Sequence, residues 1–256
     1  VKMIFDWSLE NHQIEPFQHP ILNKRIEKRS LTRSEEQALK RMDIAEKYLE
    51  VEEAKFIFNL IESWTNRSDY QLVVDVLKTI YLTGMRPSEV LGLNEDVLDF
   101  ENKLIKVHWQ RAAKNKTEDE MRRFNLAEKE KYRSDLKTVE SVRVIPMVPE
   151  VEKILLRYVE RNKFQARFNE NYQNLGYLFT RTYMKKGNKQ GSPLYHTEIS
   201  SFLRGGSSQS AKYNKKAGRS YKDIDDYLDF GRPIHVVPHM FRHSFVSVLA
   251  SEKIPL

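Results

Sequence analysis

The chain contains no cysteine. Disulfides, thiol nucleophiles and cysteine-ligated zinc are thereby excluded, and a reducing cytoplasmic setting is the default expectation. It also lacks any run of about 18 apolar residues, so no segment is expected to span a membrane as a helix. The opening residues, Val1-Lys2-Met3-Ile4-Phe5-Asp6-Trp7, have charge where a secretory signal has its apolar core. They do not begin with methionine, and the chain reads as a piece of a longer protein. No cluster of carboxylates stands at metal-ligand spacing, which weighs against a metal-dependent nuclease and calls for no metal or cofactor. Acidic residues are scarce in one tract: between Arg181 and Lys222 ten basic residues face Glu198 alone, so this stretch carries +9 while the whole chain carries +7.

With 256 residues, 40% of them hydrophobic, the chain can bury one large domain or one domain plus a smaller piece. The pI near 9.3 and the concentration of charge in one tract point to a polyanion, most simply a nucleic acid backbone. The candidate DNA-binding cations are Lys185, Lys186, Lys189, Arg204, Lys212, Lys215, Lys216 and Arg219. A solvated basic loop with no partner is the other reading of the same tract.

Periodicity gives a mixed, predominantly α fold with a small antiparallel β-sheet. Residues 1–15 read as the tail of a helix, and Pro16 and Pro20 then break the pattern. A charged connector continues to about residue 47. A helix is expected from Glu52, with Ala54, Phe56, Ile57, Phe58, Leu60, Ile61 and Trp64 on its apolar face. A second runs from Asp69 to Leu82 and stops at Gly84, which suits a left-handed cap. Pro87 opens a short helix. Strands are expected at 104–109 and 142–147, and helices at 149–160, at 194–203 and from Pro238 to about Ser251. The segment 110–135 reads as a charged, partly helical insertion.

Three segments carry chemistry. In Pro238-His239-Met240-Phe241-Arg242-His243, a helix start at Pro238 puts His239 and Arg242 one turn apart on one face. A proton-transfer group and a permanent cation aimed at one spot suit chemistry on a phosphate. The pair alone also fits an ordinary surface contact. In Thr83-Gly84-Met85-Arg86-Pro87-Ser88-Glu89, Arg86 is held between a helix-ending glycine and a helix-starting proline, as a positioned guanidinium needs. An arginine that pairs with Glu89 and staples the turn fits equally. In Lys137-Thr138-Val139-Glu140-Ser141-Val142-Arg143-Val144-Ile145-Pro146, a lysine before a strand looks like a β-hairpin tip from which an ammonium reaches into a groove. It also fits an edge-strand lysine.

In this order the three segments resemble the tyrosine recombinase (phage integrase) family, over roughly residues 50 to 256. The wording of the last box is similar to that of integrases from phages and conjugative transposons. The resemblance implies the tyrosine-recombinase catalytic-domain fold in residues 48–256, an interdomain linker at 16–47, and at 1–15 the last helix of an N-terminal DNA-clamping domain. It implies site-specific integration or excision of a mobile element through a 3′-phosphotyrosyl intermediate, with no metal or other cofactor. Arg86 and Arg242 would brace the non-bridging oxygens, Lys137 would protonate the leaving 5′-oxygen, and His239 would contact the phosphate or help deprotonate the nucleophile. Glu89 reads as a buttress of Arg86. His243 reads as structural support, with a phosphate contact as its alternative. The expected partners are a double-stranded DNA attachment site, a tetramer of the parent protein on DNA, and room for an accessory DNA-bending or excision factor. All twelve tyrosines, Tyr48 to Tyr227, precede His239, whereas the family's nucleophile follows the last box. The chain as written therefore lacks it and is expected to be monomeric in solution. A DNA-binding module that occupies attachment sites without cleaving is the alternative, and a type IB topoisomerase would use the same groups.

Overall fold

A computed structural model describes residues 48–67, 69–136, 138, 141–181, 190–206 and 222–252. The expected helix at 1–15 and linker at 16–47 lie outside these. The described residues are mainly helical with two small antiparallel sheets.

Helix α1 (Val51–Glu62) starts on a capping box in which the Glu53 carboxylate accepts the Glu50 backbone N–H at 2.8 Å. Its buried side is Ala54, Ile57, Phe58 and Ile61. Phe56, expected on that face, is instead 46% exposed and packs edge-on against Phe230. Helix α2 (Tyr70–Thr83) is the central element, with Val74, Val76, Leu77 and Ile80 fully buried. It ends as the sequence predicts. Gly84 has φ +62°, and its N–H donates to the Ile80 carbonyl at 2.9 Å. Helix α3 (Pro87–Leu91) follows at once.

The expected strand at 104–109 is interrupted at His108 and joins two ladders. Strands β1 (Leu98–Asp99), β2 (Leu104–Val107) and β5 (Arg143–Pro146) form one antiparallel sheet in the order β1-β2-β5, with Val107 opposite Arg143. Strands β3 (Trp109–Arg111) and β4 (Arg133–Asp135) form the other, with Trp109 opposite Asp135. One partner strand thus leaves the pairing after Asp135 and resumes it at Arg143. Lys137, expected at a hairpin tip, lies outside the described residues. The stretch 110–135 also holds a short helix, α4 (Glu118–Arg123), capped by Thr117.

Helix α5 (Pro149–Phe168) continues past Glu160 because residues 161–168 contain no glycine or proline. Its buried Asn162 donates to the carbonyls of Tyr177 and Leu178. Helix α6 is His196–Leu203 and helix α7 is Pro238–Ser251. Helix α7 packs along α2, and its Phe241 stacks on Phe58 of α1 with ring centroids 5.4 Å apart. Ser244 of α7 accepts the Leu49 backbone N–H at 2.8 Å, which ties the start of the described chain to this helix. No helix among the described residues is long and apolar enough to cross a membrane.

Candidate active site

The site forms where the C-terminus of α2, the N-terminus of α3, the start of β5 and the first two turns of α7 meet. Its centre is Glu89, whose side chain is 0% exposed. Arg86 caps α3 and donates to Glu89 twice, through its backbone N–H to Oε2 at 2.8 Å and through Nη1 to Oε1 at 2.8 Å. Arg143 sits 54 residues away in sequence and forks onto the same carboxylate, Nη2 to Oε2 at 2.7 Å and Nη1 to Oε1 at 3.2 Å. Arg242 lies 4.0 Å from Oε2 and donates to the Gly84 carbonyl at 2.5 Å. That carbonyl lies at the negative end of α2, which favours a cation.

Three guanidiniums therefore surround one carboxylate, an excess of two positive charges. Their side chains are 26–34% exposed while Glu89 is covered, so the excess faces solvent. Burial alone would raise the Glu89 carboxyl, but hydrogen bonds from Arg143 and Arg86 outweigh it and hold the pKa below the ordinary range. Burial first, then the charges of Arg86 and Arg143, lowers the Arg242 pKa, and the guanidinium remains a cation.

His239 stands one turn before Arg242 on α7. Partial burial and the neighbouring His196, His243, Arg242 and Arg86 all disfavour its cation and lower its pKa. It is a neutral imidazole at neutral pH, able to accept a proton. His196, in the first turn of α6, has its ring centroid 6.1 Å from that of His239, and His243 lies 6.4 Å away on the other side. Both flanking rings are exposed. His243 lies one turn beyond His239 on α7 and lines the same face.

The structure thus brings Arg86, Glu89, His239, Arg242 and His243 together. Lys137 lies outside the described residues, as do Lys185, Lys186, Lys189, Lys212, Lys215, Lys216 and Arg219. Arg204 is described and is redirected. Its guanidinium is engaged by Asp223 at 2.5 Å, Asp225 at 2.7 Å and the Val236 carbonyl, which makes it an internal tie ahead of α7. Arg181, counted in the basic tract, is fully buried against Glu198, Ser192 and Pro193. Two residues join the site that the sequence did not place there, Arg143 and His196. Arg143 stands within the lysine motif, but its partnership with Glu89 depends on strand register. A groove of about 750 Å³ between α2 and α5, lined by Glu62, Asp75, Lys78, Glu150 and Arg157 among others, shares no residue with this cluster.

The model of the phage integrase family matches residues 47–256. The integrase of Staphylococcus phage L54a is 25% identical over 212 residues, which are 82% of this chain and 49% of that protein. The prophage ps2 probable integrase of Lactococcus lactis subsp. lactis (strain IL1403) is 22% identical over an alignment that takes in 100% of this chain and 55% of that protein. The chain spans about half the length of the curated relatives it matches. Among solved structures, the Tn1549 transposon integrase in complex with a circular intermediate DNA superposes with a TM-score of 0.51 at 22% identity, covering 82% of this chain and 55% of that one. The same integrase in complex with transposon right end DNA gives a TM-score of 0.50 at 24% identity, over 81% and 54%.

Proposed function

The chain belongs to the phage integrase family, and on that premise we propose that it is the phosphate-bracing part of a site-specific DNA recombinase that integrates or excises a mobile element. The observation that supports this most is the convergence of Arg86 and Arg242, with two uncompensated positive charges, beside a neutral His239. In the complete protein a tyrosine oxygen attacks the scissile phosphorus and the bond to the 5′-oxygen breaks. The phosphotyrosyl ester conserves the bond energy for rejoining. The pentavalent transition state carries more charge on its equatorial oxygens than the diester does, and Arg86 and Arg242 offset that extra charge. His239 takes the tyrosine proton or holds a phosphate oxygen. Lys137 donates the proton that the leaving 5′-oxygen requires. The substrate is a double-stranded attachment site, and recombination proceeds in a tetramer on two duplexes.

Arg86→Ala in the complete protein tests this directly. Duplex binding should stay within a few-fold of the parent while single-turnover cleavage falls by at least about 100-fold, the scale for one lost transition-state donor. Parent-like cleavage by the variant would remove Arg86 from the site. A protein that binds the duplex but never forms a covalent adduct, parent and variant alike, would be a binding module.

A further inference from the structure

We propose that Arg143 is a positioning residue of the strand-cleavage site: by saturating Glu89 it leaves the outer N–H groups of Arg86 and Arg242 for the scissile phosphate. The inference rests on the functional reading above and adds a residue to it. Its basis is the geometry of one carboxylate. Glu89 has about four acceptor positions. Arg86 takes two of them, one with its backbone and one with its side chain. Arg143 takes the other two with its fork, at 2.7 and 3.2 Å. Arg242 stands 4.0 Å from the oxygen that Arg143 holds at 2.7 Å, close enough to feel its charge and too far to bond it. The fork is itself oriented by a bond from Arg143 Nη1 to the Ser141 carbonyl at 3.0 Å and by the pairing of Arg143 with Val107 in the sheet.

If Arg143 were absent, Oε2 of Glu89 would keep only the Arg86 backbone donor. Arg242 is then the nearest guanidinium that could fill the free acceptor position. An Arg242 drawn onto Glu89 is turned away from solvent, where a phosphate would sit. Misplacement of a catalytic group by about 1 Å costs on the order of 100-fold in rate. Arg143 thus acts through Glu89 and has no direct role on DNA in this proposal. A lysine at the position keeps the charge but gives only one bond where the guanidinium gives a planar pair.

The test compares Arg143→Gln and Arg143→Lys with the parent in the complete recombinase. Arg143→Gln should keep duplex affinity within about two-fold and lower single-turnover cleavage by about 10- to 100-fold, and Arg143→Lys should recover part of that loss. The acid limb of the cleavage-rate profile should move toward neutral pH in Arg143→Gln, because Glu89, with Arg86 and Arg242 as its remaining cations, protonates more easily. Parent-like cleavage and pH profile in Arg143→Gln would overturn the proposal, and so would equal losses of affinity and rate, which mark a DNA contact. A second measurement needs no chemistry. In the 256-residue chain with carboxyl-labelled glutamate, Glu89 should titrate at higher pH in Arg143→Gln than in the parent. An unchanged titration overturns the role of Arg143 whether or not the parent cleaves DNA. A shifted titration in a protein that never cleaves overturns the recombinase reading instead.

Discussion

At the residue scale, a single buried carboxylate organises the site. Glu89 and Arg86 were legible together in the sequence, because Gly84 and Pro87 fix the local backbone and a glutamate three residues on reaches back to the cap. His239 and Arg242 were legible for the same reason, since helix periodicity puts them one turn apart. Arg143 and His196 were not, because their neighbours come from elements that only folding brings close. Glu89→Gln should lower the unfolding free energy by about 2–3 kcal/mol, less than for a fully buried ion pair because the three arginines are partly solvated. The pH dependence follows from the depressed Glu89 pKa. The contribution is fully present above the ordinary value of 4.5 and is lost as pH falls through the lower folded-state value. Urea unfolding of both proteins across pH should therefore show a gap that is constant near neutrality and closes in acid. A gap that persists unchanged into acid would mean that Glu89 contributes by packing. For His239 the sign is the same. Its folded pKa is lowered, so the unfolded chain takes up the proton first, and stability declines as pH drops below 6.5.

At the element scale, the join between α2 and α3 is the critical joint. Gly84 is in the left-handed region, and a Cβ there would lie 2.3 Å from the Phe245 ring of α7. Its carbonyl is also the acceptor for Arg242. Gly84→Ala should cost about 1–3 kcal/mol from strained backbone and clash together. It should also lower cleavage more than duplex binding, since a backbone shift at residue 84 displaces the carbonyl that anchors Arg242. Chemical unfolding and a single-turnover assay check both parts, and a stable variant with full activity would show that the joint tolerates adjustment. Helix positions were read well from the sequence because each begins at a proline or polar cap and carries an apolar stripe. Strands were read less well. The interruption at His108 and the β3–β4 ladder depend on pairing partners 22 or more residues apart, and the charged stretch 110–135 hides a strand pair whose residues are mostly only partly buried. The extension of α5 was missed because residues 161–168 are polar and aromatic without a clear stripe, yet nothing in them stops a helix.

At the scale of the whole molecule, charge segregates. Arg181 is buried and Arg204 is held by Asp223 and Asp225, which leaves the lysines and Arg219 as the first candidates for a DNA grip by the basic tract. Replacing Lys212, Lys215 and Lys216 together with glutamine should flatten the plot of log affinity against log salt by about 0.9 for each lysine that meets a phosphate. An identical slope in a filter-binding or anisotropy series would take the tract out of the interface. The tie between Leu49 and Ser244 bears on how the protein is made. These residues are 195 positions apart, and ribosomal synthesis at about 5–20 residues per second separates them by about 10–40 s. Through that interval the apolar flank of α2 that α7 will cover has no native cover, and the non-local closure must wait for α7 to emerge. The helix that carries His239 and Arg242 is therefore also the one that covers α2, so the two groups are placed only when that flank of the core closes.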